Sequence, residues 1–172
     1  MAAMRWAEFE AAAPELAAFG TNGFGEQHLC ILGTLAADGW PRISPNEIYF
    51  PDGTLLLGMM RNSRKSKDLE RDSRITVMTP QCDREAKRGD FKLYGRAVAI
   101  TDPAVRKRYA DTVFEAIDWR PVDPYPLFTI EIERAAYIDF AEHHRMLRWT
   151  EGRGCEELLH PDDDPNAGAP SE

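Results

Sequence analysis

The sequence predicts a mainly β protein, a small antiparallel barrel with added helices. Six or seven segments of the 172-residue chain have the apolar pattern of short strands. Turn signals rich in aspartate and glycine separate the first three of them, as in hairpins. Only two helical insertions interrupt the strands, which favours a barrel over a parallel α/β sheet.

The N-terminal part of the chain contains one helical region and three strands. Residues 4–19 have helical apolar spacing, and Pro14 is expected to divide them into two short helices. The glycine-rich run 20–25 is expected to end this region. Strands are then predicted at residues 28–34, 41–50 and 54–60, with the turns Ala36-Ala37-Asp38-Gly39 and Pro51-Asp52-Gly53 between them.

The remainder of the chain adds two helices and the last strands. A short basic helix is expected to begin after Ser63, and Asp102 followed by Pro103 marks the start of a helix that runs to about residue 118. Gly95 lies inside a long strand and is the expected site of a bulge. Strands are predicted at residues 74–79, 91–100, 127–132 and 136–140.

The charge of the chain is unevenly distributed. The net charge is −8, but residues 155–172 hold six acidic residues and no lysine or arginine, which leaves 23 acidic and 21 basic residues in the body. A nearly neutral body gives no support for general nucleic-acid binding. We expect residues 1–154 to form one domain and residues 155–172 to be an acidic, disordered tail.

Cysteine and histidine patterns give no sign of a metal or disulfide framework. The three cysteines, Cys30, Cys82 and Cys155, are an odd number without short repeat spacing. His143 and His144 are adjacent, so they would face opposite sides of a strand, and we expect no metal site there. No apolar stretch approaches the roughly 18 residues that cross a bilayer, and the N-terminus lacks a signal pattern. A cytoplasmic protein without a membrane segment is therefore predicted.

The segment between the third and fourth strands carries the clearest functional signal. Four cations fall within seven residues: Arg61, Arg64, Lys65 and Lys67. The neighbouring pair Asn62-Ser63 suits a helix N-cap, and a helix N-terminus attracts anions. Arginine and lysine together suit a phosphate monoester. A solvated surface helix is the alternative interpretation.

Several motifs occur in the order found in a known family. They are Leu32-Gly33-Thr34-Leu35, Asp38-Gly39, Pro41-Arg42-Ile43-Ser44-Pro45, Ser63-Arg64-Lys65 with Asp68-Leu69, Phe91-Lys92-Leu93-Tyr94-Gly95-Arg96-Ala97, Thr101-Asp102-Pro103, and Arg148-Trp149 with Gly152-Arg153-Gly154. Over residues 4–154 the chain resembles the flavin-binding split barrels, and more narrowly the pyridoxamine 5'-phosphate oxidase-like proteins. The resemblance implies an FMN-binding split barrel of six to seven antiparallel strands.

The resemblance also implies a cofactor and its contacts. Ser63, Arg64 and Lys65 would hold the 5'-phosphate of FMN, and Arg42, Ile43, Ser44 and Pro45 would run along the flavin ring. Gly58 and Met59 would line the flavin, and Lys92 is expected to reach it. The family usually forms homodimers that share the flavin sites across the interface. Phe140 is followed by Ala141 where the true vitamin oxidases have tryptophan, so the vitamin substrate is not expected.

The activity implied is that of a flavin-dependent oxidoreductase that transfers hydride through FMN to or from an unidentified small molecule. No side chain is nominated as catalytic, although Glu47 is a candidate for proton transfer. The candidates for the cavity wall are Trp119, Tyr125, Trp149 and His144, with plain packing as the alternative. Other functions remain open: a reductase that uses the 8-hydroxy-5-deazaflavin coenzyme, a non-catalytic flavin carrier or redox sensor, and a haem-handling barrel with His28 as axial ligand.

Overall fold

Eight strands and four α-helices make up the computed structural model, which describes residues 4–25, 27–81, 84–140 and 144–163. The helices are α1 (Trp6–Ala12), α2 (Pro14–Gly25), α3 (Arg64–Arg71) and α4 (Pro103–Ile117). The strands are β1 (Leu29–Leu35), β2 (Pro41–Glu47), β3 (Leu57–Gly58), β4 (Arg74–Met78), β5 (Asp90–Ala99), β6 (Leu127–Ile138), β7 (Met146–Thr150) and β8 (Gly154–Leu158). Within the described ranges, no helix combines the length and the apolar character that crossing a membrane requires.

The strands form one antiparallel sheet that is split and does not close on itself. Its order is β2-β1-β4-β5-β6-β7-β8, and the short β3 pairs with β6. The predicted mainly β class and antiparallel pairing are confirmed, but the described residues contain eight strands where six or seven were predicted. The two strands predicted after residue 126 are one continuous strand, β6, and the hairpin of β7 and β8 was not predicted.

The third strand and the C-terminal boundary also differ from the prediction. Of residues 54–60, only Leu57 and Gly58 form the strand β3, beside an isolated bridge between Tyr49 and Leu56. Residues 155–158, which were expected to begin the disordered tail, lie in β8 and pair with β7. Residues 164–172 lie outside the described residues.

The glycine-rich run 20–25 does not end the N-terminal helical region. Pro14 separates α1 from α2 as predicted, but α2 continues to Gly25. A Cβ atom at Gly20 would lie 2.6 Å from the Phe91 ring, and one at Gly23 would lie 2.4 Å from Thr79. The glycines therefore let the helix lie close against the sheet, and this packing outweighs their poor helix propensity.

Two clusters of buried side chains form the core. The larger lies between the N-terminal helices and the sheet and is rich in aromatic rings, among them Trp6, Phe9, Phe91 and Trp149. The smaller consists of Tyr49, Leu56, Tyr109, Val113 and Leu127. It joins α4 to β6 and to the bridge between Tyr49 and Leu56, and it lies under the site described next.

Candidate functional site

An open cleft of about 570 Å³ lies between the ends of β2 and β3, the start of α3, and α4 with the loop that follows it. Pro45 and Glu47 contribute from β2, and Gly58 and Met59 from β3 and its end. Arg61 and Lys65 supply two cations at the α3 side. The opposite wall is mostly apolar and aromatic, with Tyr109, Trp119, Pro121, Val122, Pro124 and Tyr125.

Backbone and amide hydrogen bonds hold the floor of the cleft. The Nδ2 atom of Asn46 donates to the carbonyl oxygen of Gly58 at 3.2 Å and to that of Glu47 at 2.6 Å. The backbone N–H of Met59 donates to the carbonyl of Pro126 at 3.0 Å. These bonds fix the end of β3 between β2 and the proline-rich loop, because backbone groups paired on both sides are not free to move independently.

Tyr109 reaches the cleft from α4 and is buried. Burial raises the pKa of its phenol, so the side chain is a neutral hydroxyl at ordinary pH. A Cβ atom on Gly58 would lie 2.1 Å from the Tyr109 oxygen, so the phenol packs directly against the Gly58 backbone. Glycine is therefore required at position 58 for α4 to close this wall of the cleft.

The basic helix begins as predicted. Ser63 is the N-cap of α3, and its Oγ accepts from the backbone N–H of Ser66 at 3.3 Å. Lys65 Nζ donates to the carbonyl oxygen of Pro45 at 2.6 Å, so the ammonium group lies against the end of β2. Burial lowers the pKa of Lys65, while Cys30 and Glu47 partly oppose this effect. A half-buried cation at this position favours an anionic ligand.

A buried ion pair holds α3 against the sheet. Asp68 accepts hydrogen bonds from Arg42 Nε at 2.6 Å and from Thr34 Oγ1 at 3.0 Å, and Arg71 Nη1 lies 3.4 Å away. Burial raises the pKa of Asp68, but the hydrogen bonds from Arg42 and Thr34 outweigh it, so its pKa lies below the ordinary value. The Arg42 guanidinium therefore positions the helix that carries Lys65.

Four of the ten residues predicted to contact the cofactor line this cleft: Pro45, Gly58, Met59 and Lys65. The others have different surroundings within one chain. Arg42 pairs with Asp68, Ser63 caps α3, and Lys92 on β5 lies 3.2 Å from Asp90. Ile43 and Arg64 are exposed, and Ser44 is half-buried on β2.

The predicted wall candidates divide in the same way. Trp119 and Tyr125 line the cleft, and so does Glu47. Trp149 is part of the main core, where its ring packs edge-on against Phe9, and His144 lies beside His160 at the end of the β7–β8 hairpin. His28, the predicted haem ligand, does not line the cleft. Its ring stacks on Tyr49, and the Tyr49 ring packs edge-on against Tyr109.

Sequence reasoning did not identify Tyr109, Asn46 or Met60 as cleft residues. Tyr109 occupies a position in the apolar repeat of α4, so the pattern indicates a core residue. Asn46 is a polar residue on β2 that is buried among apolar neighbours, and such a residue is usually held for its hydrogen bonds. Because this burial is known only from the structure, the sequence offered no signal for Asn46.

The chain is similar to a known protein family and to several solved structures. A family model described as "Pyridoxamine 5'-phosphate oxidase" matches residues 14–139. ChuZ from Campylobacter jejuni is similar in structure, with a TM-score of 0.69 at 12% identity over 91% of this chain and 65% of its own. A heme binding protein from Mycobacterium smegmatis has a TM-score of 0.63 at 17% identity over 80% of this chain and 58% of its own.

The match to a third solved structure includes a larger share of that protein's length. It is a Clostridium acetobutylicum protein related to general stress protein 26 of B. subtilis, of the pyridoxinephosphate oxidase family, with a TM-score of 0.60 at 17% identity over 77% of this chain and 92% of its own. This chain spans less than two thirds of ChuZ and of the M. smegmatis protein. At these identities the structures show a shared fold. No curated protein matches the sequence.

Proposed function

Because the chain belongs to the pyridoxamine 5'-phosphate oxidase family, we propose that its cleft binds FMN and that the protein is a flavin-dependent oxidoreductase acting on a small molecule. The observation that carries this proposal is the polarity of the cleft. Two cations, Arg61 and Lys65, lie at one side, and the aromatic residues Tyr109, Trp119 and Tyr125 lie at the other. FMN has matching ends, an anionic phosphate at one and a flat aromatic ring system at the other.

The residues present fit this group in size and in charge. A volume of about 570 Å³ lies within the range of roughly 300–1,000 Å³ found for ligand pockets. Lys65 and Arg61, beside the N-terminus of α3, would hold the phosphate. Gly58 has no side chain, so a ring can approach the backbone closely there.

FMN would supply the hydride chemistry when bound. The protein's own residues have supporting roles. Tyr109, Trp119 and Tyr125 exclude water from the ring side of the cleft, and Lys65 fixes the orientation of the cofactor through its phosphate. The Glu47 carboxylate lies in the same cleft, where it would exchange a proton with the bound small molecule.

We also propose that the active form is a cytoplasmic homodimer. Arg42, Ile43, Ser44, Arg64 and Lys92 lie outside the cleft of their own chain, and the family resemblance implies cofactor sites at a subunit interface. In such a dimer, these residues of one subunit would contact the FMN that is bound in the cleft of the other subunit. The odd number of cysteines supports a reducing compartment.

The direct test compares FMN and riboflavin binding to the purified chain by fluorescence titration. The double variant Arg61→Ala with Lys65→Ala should weaken FMN binding at least about tenfold, because each charged hydrogen bond contributes roughly 1.5–3 kcal/mol. Riboflavin, which lacks the phosphate, should bind both proteins equally. The matched control is Lys107→Ala, which removes a lysine that is 78% exposed on α4.

Equal FMN binding by the double variant and the wild type would overturn the site. The absorbance spectrum of the purified protein separates the remaining cases, because flavin, deazaflavin and haem absorb differently. A deazaflavin or haem spectrum would replace the FMN assignment. Reduction of the bound flavin by a nicotinamide donor supports an enzyme, whereas a flavin that no donor reduces supports a carrier or redox sensor.

A further inference from the structure

Three side chains with metal-binding atoms meet at the open end of the hairpin formed by β7 and β8. His144, His160 and Asp163 each offer one ligand atom, and these atoms all lie within 4.8 Å of one another. None of the three residues lines the cleft. The cluster is therefore a separate feature from the proposed flavin site.

The hairpin register explains why the two histidines meet. Met146 and Leu158 form the last pair of the ladder, and His144 and His160 lie two positions beyond it on the two sides. The centroids of the two rings are 4.9 Å apart. The hairpin thus brings together two residues that are 16 positions apart in sequence.

A tight turn brings the carboxylate to the same place. The backbone N–H of Asp163 donates to the carbonyl oxygen of His160 at 2.9 Å, which closes a four-residue turn. Asp163 Oδ2 lies 3.3 Å from His144 Nδ1. Nδ1 of His160 accepts from the backbone N–H of Asp162 at 3.2 Å, so the turn also orients this ring.

The donor set favours a particular class of ion. Two imidazoles and one carboxylate suit divalent transition metals, whereas Mg²⁺ and Ca²⁺ prefer oxygen ligands alone. Bond lengths of about 2.0–2.2 Å to zinc place tetrahedral ligands roughly 3.3–3.6 Å apart. The ligand atoms are now up to 4.8 Å apart, and rotation of the side chains would bring them to this distance. Both histidines are only half-buried and Asp163 is exposed, so the side chains have room to rotate.

We infer that His144, His160 and Asp163 form a binding site for a divalent transition metal ion such as Zn²⁺. Three protein ligands leave a fourth position for water or a small anion. The bound ion joins the start of β7 to the turn after β8 and so fixes the end of the sheet. The sequence predicts no metal site at His144, because the adjacent His143 would face the opposite side of a strand. His143 lies outside the described residues.

The test is isothermal titration of the full chain with Zn²⁺, after purification without a polyhistidine tag and treatment with a chelator. We expect one ion per chain. His144→Ala, His160→Ala and Asp163→Asn should each weaken binding at least about tenfold, the lower range known for changes near a metal site. Co²⁺ should give ligand-field absorption bands that the same three variants lose.

Two control variants make the assignment specific. Asp162→Asn changes the neighbouring carboxylate, which is 87% exposed, and His28→Gln removes a histidine outside the cluster. Both should bind Zn²⁺ as the wild type does. The inference is overturned if the wild type binds no Zn²⁺, if the double variant His144→Ala with His160→Ala binds it equally well, or if Asp162→Asn weakens binding as much as Asp163→Asn.

Discussion

Asp68 shows how one buried carboxylate can hold three elements together. It lies on α3 with 3% of its surface exposed, and it accepts hydrogen bonds from Thr34 on β1 and Arg42 on β2. Arg71 from the same helix joins this network and also donates to the carbonyl of Leu35. Because these contacts fix the position of α3, they also fix the position of Lys65 in the cleft.

Asp68→Asn should lower the free energy of unfolding by roughly 1.5–3 kcal/mol, because it weakens a charged hydrogen bond and leaves Arg42 without a carboxylate. Urea denaturation measures this change. Asp72→Asn is the matched control, since Asp72 is more exposed and pairs with the exposed Arg74. A stability loss in Asp72→Asn equal to that in Asp68→Asn would contradict the role given to burial.

The same residue predicts a dependence of stability on pH. The pKa of Asp68 is lowered from 3.8 in the folded state, so its contribution is fully present above about pH 4 and is lost as the pH falls through the folded value. The stability difference between the wild type and Asp68→Asn, measured from pH 7 to pH 2, should therefore shrink below pH 4. A constant difference across that range would show that Asp68 does not titrate as described.

At the residue scale, the sequence indicates local chemistry such as a helix cap, but it does not indicate the direction in which each side chain of the helix points. The Ser63 N-cap followed from residue type alone. Arg64 and Lys65 were predicted to act together, but successive helical residues are rotated by about 100°. Lys65 therefore lies against Pro45 in the cleft, while Arg64 is exposed to solvent.

At the scale of elements, β5 and β6 meet at a bulge that glycine makes possible. The register shifts between Tyr94 and Gly95, as the glycine within the strand pattern predicted. A Cβ atom at position 95 would lie 1.9 Å from the carbonyl oxygen of Glu131. Backbone of the neighbouring strand cannot move aside without disrupting the ladder, so the site does not accept a larger residue.

Gly95→Ala should destabilise the fold by about 1–3 kcal/mol, the usual range for overpacking, because of this backbone contact. Thermal unfolding followed by circular dichroism measures the effect. Gly33→Ala on β1 provides the control, since a Cβ atom there meets Thr76 at an ordinary 3.5 Å. Unchanged stability of Gly95→Ala would mean that the strands separate more easily than the bulge geometry indicates.

The hairpin of β7 and β8 shows why some elements were not predicted. Four of the five residues of β8 are exposed, so the strand has no apolar alternation to detect. It is held by ladder hydrogen bonds and by charged pairs such as Arg148 with Glu156 and Arg145 with Glu157. Such pairing depends on which strand lies next to β8, and the periodicity of a single segment does not indicate its neighbour.

At the scale of the whole molecule, β2 is an open edge of the sheet. Ile43 on this strand is 76% exposed, and Trp40 in the preceding turn is 74% exposed. An edge strand with exposed apolar side chains favours association. We expect the partner subunit of the proposed homodimer to cover this edge.

Ile43→Glu should convert the dimer into a monomer, because a charge buried in an apolar interface is unfavourable. Light scattering after size-exclusion chromatography gives the mass directly. Leu159→Glu, which changes a residue that is 60% exposed beyond β8, should remain dimeric. A dimeric Ile43→Glu protein would place the interface elsewhere, and a monomeric wild type would contradict the homodimer itself.

The fold class and most of the elements were predictable from the sequence, whereas the contact between α4 and β3 that closes the cleft was not. Turn signals and strand patterns indicated the class and most of the elements. The aromatic wall, however, forms because Tyr109 on α4 packs over Gly58 on β3, about fifty positions earlier in the chain. Such a long-range contact depends on how the smaller core cluster packs, which one unaligned sequence does not specify.

The smaller core cluster has a consequence for motion. Only Tyr109 and Val113 of α4 are buried, so this helix is anchored by far fewer apolar contacts than the strands of the main core. Its amides should exchange with deuterium through local opening, well before those of β5 and β6. A ligand that contacts Tyr109 would slow this exchange, so the rate of amide exchange in α4 reports directly on occupancy of the cleft.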